Sequence, residues 1–250
     1  MPTSPVHDRL AAVRARVDDA ATAAGRDPAD VRLLLATKTQ EAESVLAAVA
    51  AATSLAASRG DDGPVLLGEN RVQELVAKAP ALAGPVAAGR VEVHMIGNLQ
   101  RNKINQMLPT VTGLETVDRS SLADAVAERA ARAARVLDVM VQVNVSGEES
   151  KSGVAPSDAV ALARHVAALD GLRLAGFMTI GARTDDRTAV RAGFSTLRAI
   201  RDEVVASGAP GTSEARELSM GMSGDLELAV AEDATIVRVG TAVFGARPPV

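Results

Sequence analysis

Residues 32–40 read RLLLATKTQ, an apolar run that stops at a lysine flanked by two threonines. A run this short, with turn-forming polar residues after it, is a buried strand more readily than a helix. Lys38 then stands at the strand's carboxyl end. Seven further runs have the same form: 65–68 (VLLG), 91–96 (VEVHMI), 114–117 (LETV), 138–145 (DVMVQVNV), 172–180 (LRLAGFMTI), 217–220 (ELSM) and 235–239 (TIVRV). Helical patterns fill the gaps at 41–57, 72–81, 102–108, 120–135, 156–169, 187–207 and 224–231. Pro156 opens one of these helices, where proline is tolerated in the first turn. Ser120 and Ser121 are expected as caps of another. Eight strands alternating with helices predict an α/β fold, a (β/α)8 TIM barrel. An open doubly wound sheet also alternates, so the count alone does not separate the two. The length of 250 residues suits one barrel. No Pro-, Gly- or Ser-rich linker divides the chain, so 1–250 reads as a single domain. An extra N-terminal helix over 5–24 is expected to pack over one barrel end, and 58–64 (SRGDDGP) reads as an inserted surface loop.

Composition narrows the function. Hydrophobic residues make up 47% and charged residues 23%, a globular balance rather than a disordered one. A formal net charge of −4 and three Phe offer neither a basic footprint nor stacking platforms for nucleic acid. With no Cys, disulfides, thiolate-ligated zinc and thiol catalysis are excluded. The N-terminus lacks an apolar signal core, and no run of about 18 uncharged apolar residues occurs. A cytoplasmic protein without a membrane span is therefore expected. No metal-ligand motif is present, and no GxGxxG follows a strand.

Lysine is rare: Lys38, Lys78, Lys103 and Lys151 stand against twenty-three arginines. Lys78 lies in a polar helix near its end and reads as solvated. Lys38 lies where barrels build their active sites, at the carboxyl rim. An amine at an apolar rim has its charged form disfavoured and becomes the neutral nucleophile for a Schiff base; a lysine that snorkels or pairs with a carboxylate is the alternative. Two later strands also end in small residues, at 217–224 (ELSMGMSG) and 236–245 (IVRVGTAVFG). Loops after strands seven and eight commonly form a phosphate cup from backbone N–H groups and hydroxyls. Together with Lys38 they suggest a phosphorylated carbonyl ligand.

Seven segments stand in order along the chain: LLLATKTQ, GENRVQE (68–74), HMIGNLQRNK (94–103), QVNVSGEESKSG (142–153), GFMTIG (176–181), LSMGMSGDLELAV (218–230) and VRVGTAVFGAR (237–247). From about 31 to 247 the chain resembles the pyridoxal-phosphate homeostasis protein family, single barrels related to the N-terminal domain of alanine racemase. The resemblance implies pyridoxal 5′-phosphate (PLP) held as an internal aldimine on Lys38. It implies that Ser223, Gly240 and Thr241 hold the phosphate, that Arg238 faces the pyridine nitrogen, and that Asn70, His94 and Met95 line the ring's surroundings. It departs from the family pattern at Leu67, where Phe commonly precedes GEN, at the end FGARPPV, which lacks the usual terminal aromatic, and in the length of 58–64.

The implied arginine bears on mechanism. PLP works best as an electron sink when a carboxylate keeps its ring nitrogen protonated, whereas arginine can only donate. A racemase of this fold uses Lys on one face of the substrate and Tyr on the other, and this chain has no Tyr. His94 is the remaining acid/base candidate, set against a hydrogen-bonded structural role. The lid domain of such racemases has no counterpart in 250 residues. The expected function is a PLP carrier or regulator in intracellular vitamin B6 and amino-acid homeostasis, without robust catalysis. Free amino acids or PLP-dependent apoenzymes are the expected recipients, and a monomer is the expected state. Two alternatives stay open: a weak PLP-dependent amino-acid racemase, and a class I aldolase-like enzyme in which Lys38 attacks a sugar phosphate. The segment 147–153 (GEESKSG), with Ser150, Lys151 and Ser152, reads as a second anion site or a polar rim loop. Arg101 and Lys103 read equally as phosphate ligands or as the start of a helix.

Overall fold

The computed structural model describes residues 4–148 and 151–245. Eight parallel strands close into a barrel in sequence order, β1 (Arg32–Ala36), β2 (Val65–Glu69), β3 (Val91–Met95), β4 (Gly113–Val117), β5 (Leu137–Gln142), β6 (Leu172–Met178), β7 (Glu217–Met222) and β8 (Ile236–Val239). β8 returns to β1 with Leu33 opposite Val237 and Leu35 opposite Val239. The barrel, and not the open sheet, is the architecture.

The helices are α1 (Pro5–Ala23), α2 (Ala42–Ala57), α3 (Val72–Ala87), α4 (Ile104–Met107), α5 (Ser120–Arg132), α6 (Pro156–Ala167), α7 (Arg187–Ala206), α8 (Leu226–Ala231) and α9 (Thr241–Phe244). None among the described residues is long and apolar enough to cross a membrane. Pro156 opens α6 as its sequence predicts. α5 starts at Ser120 itself, after Arg119, with no side-chain cap, so Ser120 and Ser121 do not cap it. The 102–108 segment splits into a 3-10 turn at Arg101–Lys103 followed by the single turn of α4. α3 runs past Pro80 and Pro85, six residues beyond the predicted end, because Leu82 in its last turns is buried against the core.

Strand alternation sorts the side chains into two cores. Leu34, Leu66, Met140, Met178 and Ile236 fill the barrel interior, with Ala36, Ile96 and Ala175 against them. Leu35, Leu67, Val93, Met95, Val139 and Val237 face outward into the layer beneath the helices.

α1 does not cover a barrel end. It packs against α2, α8 and α9, burying Leu10, Val13, Val17 and Ala21. Arg9 near its start donates to the Val243 carbonyl (2.6 Å), at the carboxyl end of the barrel. Past its end, Arg26 donates to the Ala234 carbonyl (2.9 Å), at the amino end. Its 19 residues, about 28 Å at 1.5 Å per residue, therefore run along the barrel's flank.

Candidate functional site

Five of the eight sequence-predicted site residues meet at the carboxyl rim, on the neighbouring strands β7, β8, β1 and β2. Lys38 follows β1 and is half-buried. Its turn is tied down on both sides: the Thr37 N–H donates to the Gly68 carbonyl (2.9 Å), and the Gln40 N–H to the Thr37 carbonyl (3.1 Å). Asn70 is exposed just past β2. Beyond β7, residues 222–225 form a tight turn in which the Met222 N–H donates to Asp225 Oδ1 (2.6 Å). Ser223 sits in that turn, half-buried, its carbonyl accepting from Arg16 of α1 (3.1 Å). Beyond β8, Gly240 lies so close to β1 that a Cβ there would stand 3.3 Å from the Ala36 carbonyl oxygen. Thr241 opens α9 with its side chain exposed. The N–H groups that open a helix lack intrahelical partners, so the turns after β7 and β8 bring two hydroxyl-bearing residues and free helix-opening amides to the same barrel mouth as Lys38.

Below the rim, Arg238 points into the barrel and is buried. Its Nη1 donates to the Ser219 carbonyl (2.7 Å) and hydroxyl (2.9 Å), and its Nη2 to the Thr179 carbonyl (2.7 Å). The Ser219 hydroxyl donates in turn to Glu115 Oε2 (2.6 Å), and His94 Nδ1 lies 2.8 Å from Glu115 Oε1. Burial pushes the Glu115 carboxyl up, but the His94 bond, together with the His94 and Arg238 charges and the Ser219 bond, outweighs it and holds the group below the usual carboxylate range. Burial lowers the Arg238 guanidinium against the opposing pull of Glu115 and Asp225. Glu115 and Ser219 are members of this chain that sequence reasoning missed. The visible signal was Glu115 itself, a carboxylate in the middle of the apolar run LETV.

His94 is brought to Arg238 only through Glu115 and Ser219. Its remaining surroundings belong to the opposite mouth, where it lines a cavity of about 270 Å³ with Arg32, Glu92, Asp138 and Arg173 from the amino ends of β1, β3, β5 and β6. Lys38 does not line that cavity. Met95, next in sequence, faces the other way and is fully buried in the helix-facing core. Adjacent residues of one strand cannot both face the barrel interior, so Met95 is removed from the candidate site.

Lys78 corrects the solvated reading. It is buried, and its Nζ donates to the Thr37 carbonyl (2.7 Å) and to Glu69 Oε1 (2.8 Å). The Thr37 hydroxyl donates to the same carboxylate oxygen. Lys151 Nζ donates to Glu148 Oε1 (2.6 Å) and the Gly181 carbonyl (2.8 Å), fixing a rim loop; Ser150 of the predicted anion loop lies outside the described residues. Arg101 and Lys103 form the 3-10 turn. Among the described residues no cluster of three or more His, Cys, Asp or Glu is placed to hold a metal ion.

A closed eight-stranded barrel with a lysine ending its first strand and hydroxyl-bearing turns after its last two defines a class, and the family model described as "Alanine racemase, N-terminal domain" matches residues 9–248. The chain is 42% identical over 244 residues to the pyridoxal phosphate homeostasis protein of Pseudomonas aeruginosa, covering 98% of this chain and 96% of that protein. It belongs to the pyridoxal phosphate homeostasis protein family. A crystal structure of an unknown protein from Bifidobacterium adolescentis is 45% identical and superposes with a TM-score of 0.87 over 96% of this chain and 94% of that one. The structure of PipY from Synechococcus elongatus, with PLP bound, is 29% identical with a TM-score of 0.76, covering 96% of this chain and all of that one.

Proposed function

We propose that this chain binds pyridoxal 5′-phosphate at the carboxyl mouth of its barrel and serves to hold and release it, in PLP and amino-acid homeostasis in the cytoplasm. The observation that supports the reading is that the Lys38 turn after β1 and the turns of Ser223 and Gly240–Thr241 after β7 and β8 follow neighbouring strands at the same barrel mouth. The residues present fit the group. Lys38 supplies an amine for the aldehyde, joined as a Schiff base with loss of one water. The Ser223 and Thr241 hydroxyls, with the amides after Gly240, supply donors for the phosphate. The relatives' names, and the PLP in PipY, point to the same ligand.

When bound, PLP supplies an electron-withdrawing ring. The chain does little to strengthen that pull. Arg238 carries only donors and leaves a ring nitrogen beside it unprotonated. The nearest carboxylate in the Arg238 chain, Glu115, is already engaged by His94 and Ser219. His94, the one acid/base candidate in the rim strands, gives its Nδ1 to Glu115 and borders the opposite mouth. The sequence has no Tyr and no Cys to serve as a second base. A half-buried rim lysine whose bond reverses on meeting another amine suits transfer to free amino acids or to apoenzyme lysines. A monomer is sufficient for all of this.

The test is the absorption spectrum after PLP loading and gel filtration. A visible band that persists in wild type and is lost in Lys38→Ala, with L-alanine left unchanged over long incubation, is expected. A colourless loaded protein, or steady formation of D-alanine, overturns the reading.

A further inference from the structure

The turn that carries Lys38 is gripped from α3 by two side chains four residues apart, a spacing that puts both on one helix face. Lys78 holds the residue before it, through the Thr37 carbonyl (2.7 Å). Glu74 holds the residue after it, accepting from the Thr39 N–H at 2.8 Å through Oε2. Thr39 has φ 64°, a left-handed conformation that β-branched residues avoid. Such a backbone persists only where its surroundings over-determine it, and strain of this kind gathers at functional sites.

The inner arm of the grip is expensive to build. Lys78 and Glu69 are an ion pair with side chains 6% and 0% exposed, and Glu69 Oε2 has no hydrogen-bond partner among the described residues. Removing both charges from water costs about as much as their attraction returns, and an apolar pair of similar size commonly packs as well. Packing alone therefore does not explain a lysine here. Its acceptors do: the carbonyl of the residue preceding Lys38, and a carboxylate that also takes the Thr37 hydroxyl. The chain's second lysine is placed to fix the first.

We propose that Lys78 and Glu74 are positioning residues for Lys38, clamping residues 37 and 39 so that the amine between them is presented to the rim in one direction. The proposal rests on Lys38 being the residue that binds PLP. Loss of the clamp leaves the barrel closed but lets the turn wander, and misplacing a reacting group by a small distance is costly.

The test is a double-mutant cycle read by PLP affinity. Glu69→Gln/Lys78→Met removes both charges together, so no lone buried ion is left to unfold the protein. It is expected to weaken PLP binding on the order of tenfold, and to have no further effect in a Lys38→Ala background. Wild-type affinity, or an equal loss in that background, overturns the proposal. Glu74→Ala, at a partly exposed position, tests the outer arm in the same cycle. A second readout needs no PLP: amide hydrogen exchange at residues 37–40 of the unloaded protein is expected to quicken in both variants while β5 and β6 keep wild-type protection. Unchanged exchange at 37–40 overturns the clamp. If wild type itself fails to bind PLP, the proposed function falls, and the exchange data still decide whether the clamp exists.

Discussion

Gly97 gives the most demanding test of the rim geometry. A Cβ at this position would stand 2.0 Å from the Asn70 carbonyl oxygen, 2.7 Å from its carbonyl carbon and 2.9 Å from its Cα. All three are backbone atoms, so no side-chain rotation relieves the clash. The loops after β2 and β3 must part by about 1.4 Å to restore ordinary contact. Two bonds oppose that movement: Ile96 N–H to the Glu69 carbonyl (2.9 Å) and the buried Thr116 hydroxyl to the Gly97 carbonyl (3.0 Å). Losing both costs about 2 kcal/mol, and the forced backbone shift adds about 1–3 kcal/mol. Gly97→Ala should therefore cost roughly 3–5 kcal/mol of a total that is typically about 5–15. At about 2–4 °C per kcal/mol for a chain of this size, Tm falls by roughly 6–20 °C. The assay is thermal and urea unfolding of the unloaded protein, with Gly84→Ala as control. A Cβ on Gly84, in α3, meets nothing within 4 Å. Its helix gain is offset by the following Pro85, so that variant should stay within about 1 kcal/mol of wild type. A Gly97→Ala protein as stable as the control would show that the two loops do not approach as described, and would unseat Asn70 from the rim.

Two further outcomes follow from the same geometry. The Glu115 carboxyl is held below its ordinary 4.5 in the folded protein, so its stabilisation is complete above that value and is lost as pH falls below it. Glu115→Gln should therefore lose stability at pH 7 and approach wild type in acid; a gap that widens below pH 4.5 contradicts the assigned chain from His94 to Arg238. Ser223→Ala/Thr241→Ala should weaken PLP binding by about tenfold, as loss of hydrogen bonds to a charged group does. Pyridoxal, which lacks the phosphate, should bind as before, and an equal loss for both ligands in equilibrium dialysis would show that these hydroxyls do not contact the phosphate.

The barrel was legible in the sequence because its strands are short apolar runs bounded by turn residues, and strand ends are where Lys38, Asn70 and Gly240 fall. Ends of elements were less legible. The run 138–145 stops as β5 at Gln142 because Val143 pairs only as an isolated bridge with Val154. The resemblance implies Met95 together with His94, although strand parity separates them. Lys78 falls on the buried helix face of Leu75 and Leu82, and its solvated reading failed because the carboxylate that pairs with it lies nine residues earlier on β2. Glu69, a carboxylate ending an otherwise apolar strand, was the available signal that some cation must be buried nearby. The route of α1 along the barrel's flank depends on Arg9, Arg14, Arg16 and Arg26 reaching carbonyls and carboxylates far along the chain, contacts that no local pattern encodes.

The central claim concerns one amine among four. Loading the protein with PLP, reducing it with borohydride and mapping the peptides by mass spectrometry reads that amine directly. The account predicts a pyridoxyl group on Lys38 as the principal product. A principal product on Lys78, Lys103 or Lys151, or no stable adduct at all, would contradict it.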